Sequence, residues 1–434
     1  MKKESKKTKT IKVDYLARVE GEGAFHIKIE NNQVSEAHLN IFEPPRFFEG
    51  FLKGRSFREA PDITARICGI CPVAYQMSSV HAIELAYGVN VPEHIRLLRR
   101  LLYCGEWVES HVLHIYMLHA PDFLGFPDAI TMAKKHRSVV ERGLRLKKAG
   151  NSIVNLLGGR EIHPINVKVG GFYRLPTKDQ WSALTDELKW ARDAAAETVR
   201  WVKDLPFPDY TFDYQFVSLK HEHDYPMNEG LIGSSSGLAI PASDYENEFQ
   251  EVHEKRSTAL HSIRKDGSSY LTGPLARYAL NYDQLSAEAR KLAEEAGLGK
   301  ICLNPFKSII VRAVETFYAL DEALRIIALN PEGAAAVDVE PGVACRGFAA
   351  TEAPRGILYH RYSLNEQGLI EAAKIVAPTS QNQRMIEDDL KAMVSGILDY
   401  DDDRMRHRCE QSIRNYDPCI SCSAHFLKLK VERQ

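Results

Sequence analysis

Arg66-Ile67-Cys68-Gly69-Ile70-Cys71 near the start of the chain and Asp417-Pro418-Cys419-Ile420-Ser421-Cys422-Ser423-Ala424-His425 near its end each carry a CxxC unit. The two-residue spacer lets both sulfurs of a unit turn toward one point, so the two units could close into one four-thiolate metal site. Soft sulfur ligands select zinc, copper(I), iron or nickel over magnesium and calcium. The first cysteines of the units are 351 residues apart, so tertiary structure and not local sequence has to unite them. Small zinc modules place their pairs within a few tens of residues. The long separation points to a cofactor buried inside a large domain, with a closed structural zinc site as the alternative. A thioredoxin-like reading of the first unit lacks the βαβ surroundings that motif needs.

The remaining cysteines, Cys104, Cys302, Cys345 and Cys409, are scattered, which fits buried thiols in a reducing compartment and not a disulfide framework. A formal net charge of −2 leaves no electrostatic footprint of nucleic-acid binding. The basic start, MKKESKKTKT, is not followed by an apolar run, so it does not read as a signal peptide, and no apolar stretch is long enough to span a bilayer. Residues 1–10 are expected to form a disordered basic tail.

Elements must position the two units. Ile11–Leu16, Ala24–Glu30 and Val34–Phe42 read as strands separated by Gly21–Gly23 and Asn31-Asn32, an antiparallel β segment over 11–42. From 72 to 330 the pattern is mainly helical. Val73–Tyr87 is one helix stopped by Gly88, and a longer one runs from Pro92 to about His119, ended by Pro121. Further helices are expected at 128–156, 178–203, 284–296, 304–329, 380–398 and 404–414, with irregular β or loop at 340–362. The expected class is α+β, mainly α: a single large domain over 11–425, with a bundle of long helices, an N-terminal β segment and a smaller late β region.

The motifs around the cysteines resemble those of the large subunit of nickel–iron hydrogenases, from about residue 16 to residue 425. Besides the two cysteine units they include Arg18-Val19-Glu20-Gly21-Glu22-Gly23 and Pro45-Arg46-Phe47-Phe48-Glu49-Gly50, the latter followed by Lys53-Gly54-Arg55. Later come Gly158-Gly159-Arg160 with His163-Pro164, Gly273-Pro274-Leu275-Ala276-Arg277, Glu352-Ala353-Pro354-Arg355-Gly356 and Pro378-Thr379-Ser380-Gln381-Asn382. Each string alone is weak; their joint occurrence in family order is specific. The resemblance implies reversible cleavage of H2 at a nickel–iron centre. Cys68 and Cys419 would bind nickel terminally, and Cys71 and Cys422 would bridge nickel and iron, the iron also carrying carbon monoxide and cyanide.

Heterolytic cleavage of H2 needs a Lewis acid and a nearby base for the proton. By resemblance, Cys419 sulfur takes the proton first and Glu20 relays it. Arg355 matches a guanidinium above the open metal position, Asp122 and Asp417 match carboxylates that hold it, and Pro354 shapes the canopy. Glu49, His425 and the main-chain carbonyl of Ile375 match the ligands of a separate Mg2+ that pins the C-terminal segment. His111, His114 and His119 on the long helix are read as packing groups ahead of a further metal site, and His221 and His223 as members of a polar loop.

Two features depart from or extend the family pattern. Tyr75 stands where the family commonly has histidine, and its hydroxyl could donate to a bridging sulfur in its place. Phe426–Gln434 follow His425 as an extension of the kind a maturation endopeptidase removes after nickel-insertion proteins have acted. No ferredoxin-type cysteine spacing or dinucleotide fingerprint is present, so iron–sulfur clusters belong to partner subunits. The resemblance is nearest to cytoplasmic, cofactor-coupled hydrogenases. It implies a small subunit with iron–sulfur clusters and diaphorase-type NAD(P)-binding subunits, with no nucleic acid and no direct membrane insertion. The alternative is a zinc-stabilised or cofactor-free structural subunit of a larger redox complex.

Overall fold

Alternating apolar residues build the first sheet. In the computed structural model, which describes residues 8–44 and 47–424, strands β1 (Thr8–Val13), β2 (Gly23–Glu30) and β3 (Gln33–Ile41) form an antiparallel sheet in that order. Phe25, Ile27 and Ile29 on β2 and Val34, Ala37, Leu39 and Ile41 on β3 all face the core. Each large apolar side chain buried there stabilises the fold by about 1.5–3 kcal/mol. Asn31 and Asn32 turn the β2–β3 hairpin with φ of 51° and 60°, the left-handed pair that a two-residue hairpin favours. β1 begins at Thr8, so residues 8–10 are strand and not part of the expected disordered tail; their alternation continues that of Ile11 and Val13. Residues 1–7 and the expected extension 426–434 lie outside the described residues.

Helix α1 (Pro72–Tyr87) starts at the second cysteine of the first unit and ends on Gly88 in a left-handed conformation. It is buried on nearly every side, as expected of a helix apolar all round. Helix α2 (Glu93–Leu113) passes into a π-helical turn, His114–His119, and then a short helix, Ala120–Leu124. Pro121 was expected to end this run. It sits instead at the start of the short helix, where its missing N–H has no partner to lose. Helices α3 (Arg137–Gly158) and α4 (Lys178–Val202) follow.

The middle of the chain holds more β structure than its sequence pattern suggests. β4 (Val217–Lys220), β5 (Leu231–Ser234) and β6 (Ala239–Ile240) form one sheet, and β7 (Phe249–His253) with β8 (Leu260–Arg264) a hairpin. Helix α5 (Pro274–Asn281) leads on to helix α6 (Ser308–Leu329). The four long helices α2, α3, α4 and α6 pack together as the expected bundle.

Residues 340–362, expected to be irregular, contribute to a regular antiparallel meander of β9 (Cys345–Ala353), β10 (Gly356–Leu364) and β11 (Ile370–Val376). Its inner face lies on α1. Helices α7 (Pro378–Ser395) and α8 (Asp402–Asn415) then return the chain to the first sheet. One hydrophobic cluster runs from Ile11 to Cys422 and includes all four paired cysteines. The α+β class with dominant helix stands. No helix of the described residues is long and apolar enough to cross a membrane.

Candidate metal centre

The first cysteine unit is a turn leading into α1. Cys68 Sγ accepts from the Ile70 amide at 3.3 Å, the local bond that curls a CxxC unit. The start of α1 is fixed by Glu106 of α2, which accepts from the amides of Val73 (2.6 Å) and Ala74 (3.1 Å). A carboxyl at a helix N-terminus satisfies amides that have no intrahelical partner. The Gly158-Gly159-Arg160 segment and His163-Pro164 buttress the same turn. Arg160 Nε donates to the His163 carbonyl at 2.6 Å, His163 Nδ1 bonds the Ala65 carbonyl at 2.7 Å, and Gln76 Nε2 donates to the Pro164 carbonyl at 2.7 Å.

The second unit follows α8. The Cys419 amide donates to Thr379 Oγ1 at 3.0 Å, and the chain pairs with the N-terminal segment through Glu20 N to Pro418 O (3.4 Å) and Ile420 N to Glu20 O (2.9 Å). Gly21 permits this approach. Its φ is +90°, and a Cβ there would stand 2.8 Å from Ile420 Cβ.

The four sulfurs converge. Cys68 and Cys419 Sγ are 3.4 Å apart, Cys71 and Cys422 Sγ 3.7 Å, Cys419 and Cys422 Sγ 2.9 Å, and all four lie within 4.8 Å of one another. Every one is buried. Among the described residues this is the group of His, Cys, Asp or Glu side chains arranged to hold a metal ion. Sharing protons divides their acidities. Cys68, accepting from Cys419 and then Cys422 and Cys71, is held well below the usual thiol range, whereas Cys419 is pushed above it by its bond with Cys422. Four thiolates in so small a buried volume require a cation, and a soft, multivalent metal centre fits this donor set.

Two charged groups border the cluster. Cys419 Sγ donates to Glu20 Oε2 at 3.2 Å; the same oxygen accepts from the Ser421 amide at 3.0 Å, and the Ser421 hydroxyl bonds Glu20 Oε1. Arg355, fully buried, donates from Nε to the Asp417 carbonyl (2.7 Å), from Nη2 to Asp417 Oδ1 (3.1 Å) and from Nη1 to Ser110 Oγ (3.3 Å). Burial opposes the Arg355 charge, but Asp417 and then the cysteines more than restore it, so the guanidinium stays protonated. Asp417 takes φ of 51°, which aims both its carbonyl and its carboxylate at Arg355.

Asp122 lies elsewhere than its expected partner. It accepts from Arg414 Nε (2.7 Å) and Nη2 (2.8 Å) and from Arg18, and not from Arg355. It therefore braces α8, which leads into the second cysteine unit, against the end of the long helix. Burial penalises its charge, and Arg414 and Arg18 together outweigh that penalty and hold the carboxyl below the usual range.

Glu49 Oε1 accepts from the Ile375 amide at 2.8 Å, so two of the three expected Mg2+ ligands are neighbours; His425 falls outside the described residues. Tyr75 is buried, and its hydroxyl makes no hydrogen bond among the described residues. His111 bonds Glu315 at 2.9 Å, His114 bonds the Arg414 carbonyl at 2.7 Å, and the rings of His114 and His119 are 4.9 Å apart. These histidines pack and brace, and none of them belongs to the sulfur group. Glu106, Ser110, Thr379 and Ser421 were not singled out from the sequence; Thr379 and Ser421 stand inside quoted motifs, while nothing near Glu106 or Ser110 marks them.

The family model described as nickel-dependent hydrogenase matches residues 46–142 and 236–425. The α subunit of sulfhydrogenase 2 of Pyrococcus furiosus is 36% identical over 425 residues, covering 96% of this chain and 100% of that protein. The α subunit of sulfhydrogenase 1 from the same organism is 34% identical over 428 residues, covering 96% and 98%. Among solved structures, an NAD+-reducing NiFe hydrogenase in the H2-reduced state superposes with a TM-score of 0.86 at 25% identity, covering 96% of this chain and 99% of that one. Four converging thiols with a carboxylate on one sulfur, in a fold and sequence shared with these enzymes, lead to one conclusion: the chain belongs to the nickel-dependent hydrogenase family, as the catalytic subunit of a nickel–iron hydrogenase.

Proposed function

We propose that Cys68, Cys71, Cys419 and Cys422 would hold a nickel–iron centre, Cys68 and Cys419 as ligands of nickel and Cys71 and Cys422 as ligands of both nickel and an iron that would carry carbon monoxide and cyanide. The observation that carries this reading is the convergence of the four sulfurs with Glu20 bonded to Cys419 and Arg355 held in place beside them. When bound, the nickel–iron centre supplies the Lewis acidity and the two-electron capacity that H2 cleavage requires. The chain's own groups manage the proton. Cys419 Sγ receives it, and Glu20 Oε2, already at hydrogen-bond distance, takes it on. Ser421 orients that carboxylate through both its amide and its hydroxyl. Glu20 is only partly buried, so it stands between the sulfurs and the outside. Arg355 contributes a fixed positive charge, and Asp417 with Ser110 holds its orientation.

Glu49, the Ile375 carbonyl and His425 hold Mg2+ in this reading, and Phe426–Gln434 are removed on maturation of a single catalytic domain. Electrons leave through a small subunit with iron–sulfur clusters to diaphorase-type subunits and NAD(P), in the cytoplasm where nicotinamide nucleotides circulate. The likeness to the NAD+-reducing enzyme supports that acceptor. A second reading, sulfur as an acceptor, is favoured by the 36% identity to a sulfhydrogenase α subunit. Metal analysis and intact mass on the natively produced complex test the core reading. Nickel and iron on a chain ending at His425, with H2-dependent dye reduction, uphold it; zinc alone on an inactive, matured chain returns the structural-subunit alternative. Comparing NAD+, NADP+ and polysulfide as oxidants of H2 separates the acceptors.

A further inference from the structure

The Arg355 guanidinium hangs from the two-residue tip, Pro354-Arg355, of the β9–β10 hairpin, whose last paired residues are Ala353 and Gly356. Two-residue hairpins favour turns with a positive φ at the first central residue, which proline cannot adopt, and Arg355 has no positive φ either. Such a tip is not held by the twist of its own strands. It is held from outside by Arg277, the last residue of the Gly273–Arg277 motif, to which the mechanism above gives no role.

Arg277 is fully buried in α5 and presents five N–H donors to five acceptors. Nε and Nη2 fork onto Glu315 at 2.9 and 2.8 Å, and Nη1 donates to Glu352 at 2.9 Å. The other two bonds run to the main chain just before Arg355: Nη1 to the Ala353 carbonyl at 2.7 Å and Nη2 to the Pro354 carbonyl at 2.9 Å. The guanidinium lies 4.4 Å over the Trp107 ring, and Trp107 Nε1 donates to the Glu352 carbonyl at 3.0 Å. Three successive carbonyls, 352 to 354, are thus gripped by two side chains. Glu315 is tied down in turn by His111 (2.9 Å) and the Tyr225 hydroxyl (2.7 Å). From the other side, Gly273, at φ +111°, lets α5 close on the Arg355 carbonyl, which a Cβ there would meet at 2.6 Å.

We propose that Arg277, seated on Trp107, is a positioning residue for hydrogen activation: by gripping the Ala353 and Pro354 carbonyls it fixes the hairpin tip and so sets where the Arg355 guanidinium stands beside the four cysteines. The inference rests on the role assigned to Arg355 above. A misplacement of about 1 Å at a group that orients a reaction lowers the rate about 10²-fold, so loosening this tip reads out in turnover.

The test is a double-mutant cycle in the matured complex with Arg277→Lys and Arg355→Lys, scored as H2-dependent dye reduction per nickel atom, with KM for the dye. Lysine keeps the charge but, as a point donor, cannot span Glu315 and both carbonyls. Arg277→Lys alone is expected to retain nickel, leave KM for the dye unchanged and lower turnover per nickel by about 10–100-fold. In the Arg355→Lys background the same substitution is expected to change turnover less than about 2-fold. Equal losses in both backgrounds, or full turnover per nickel in Arg277→Lys, overturn the inference and leave the Arg355 reading intact. Full turnover in Arg355→Lys alone overturns that reading and the inference with it. If Arg277→Lys does not assemble, Trp107→Phe, which removes the bond to the Glu352 carbonyl and shrinks the ring under Arg277, takes its place in the cycle. A loss confined to the Arg355 background supports the inference, and no loss or an equal loss in both overturns it.

Discussion

Shortening Glu20 by one methylene isolates distance from charge. Its backbone cannot follow the change, because it is pinned to the second cysteine unit on both sides, through Pro418 O and the Ile420 amide. In Glu20→Asp the carboxylate therefore retreats by about one C–C bond, roughly 1.5 Å. The contact with Cys419 Sγ opens from 3.2 Å to roughly 4.7 Å, beyond hydrogen-bond reach. Positioned proton transfer contributes about 10²–10⁴-fold to rate, so the expected loss is at least about 10²-fold, or about 2.7 kcal/mol of barrier. Stability also falls, since the two bonds to Ser421 are lost as well and each is worth about 1.5–3 kcal/mol, so the rate is read per nickel atom of folded enzyme. The assay is H2-dependent dye reduction per nickel atom, beside isotope exchange between D2 and water, which also needs the proton to leave. Both should fall together with nickel content unchanged. An aspartate variant that keeps more than half of the wild-type exchange rate per nickel would refute direct transfer from Cys419 to Glu20.

Three further outcomes follow from the same geometry. Cys419→Ser removes one soft ligand while preserving side-chain volume: the purified chain should lose nickel and H2 activity yet unfold within a few degrees of the parent, and retained stoichiometric nickel would contradict the four-thiolate assignment. Asp122, whose carboxyl Arg414 and Arg18 hold low against the penalty of burial, stabilises the fold above its unfolded pKa of about 3.9. That contribution disappears as pH falls through its lower native value. Asp122→Asn should cost about 3–5 kcal/mol near neutral pH by stranding Arg414, and a melting-temperature gap that did not narrow toward pH 2 would contradict the ion-pair account. Burial pushes the Glu109 carboxyl up to about 8. The native state then holds that proton more tightly than the unfolded chain, so stability from this group is full below about pH 4 and declines as pH rises toward 8. Glu109→Gln should gain on the order of 3 kcal/mol over the parent at pH 7 and nothing at pH 4, read from denaturant midpoints; equal midpoints at both values would count against it.

The parts legible in the sequence were those with sustained periodicity or a fixed motif. β2 alternates strictly, β3 does so from Ala37 onward, and α4 and α6 repeat apolar residues at helical spacing over more than twenty positions each. The strands between Val217 and Arg264 are two to five residues long, too short for any period to emerge. The β9–β11 meander was obscured by Gly347, Pro354 and Gly356, which read as breakers but serve a close approach and a tip. At the site the motifs marked the cysteines, Glu20 and Arg355, because each is a short string with its own chemistry. They did not mark partners. Asp122 pairs with Arg414, 292 residues on, and Glu106 reaches amides 33 and 32 residues back. A carboxylate in a helix looks the same in sequence whether it meets water, an arginine or another helix's first turn.

The π-helical turn at His114–His119 has a consequence for comparing relatives. A π turn accommodates one residue more than an α turn, and in an α-helix one residue is about 100° of rotation. The faces of α2 before the turn and of the short helix after it are therefore set independently: Glu106 and Ser110 are phased to the first cysteine unit and Arg355, and Asp122 to Arg414. A one-residue deletion within the turn, harmless in an ordinary surface loop, would re-phase the second half and swing Asp122 off its arginine. Conversely, an aligned relative with a one-residue gap here has either a regular helix and a different partner for that carboxylate, or a compensating insertion before Pro121.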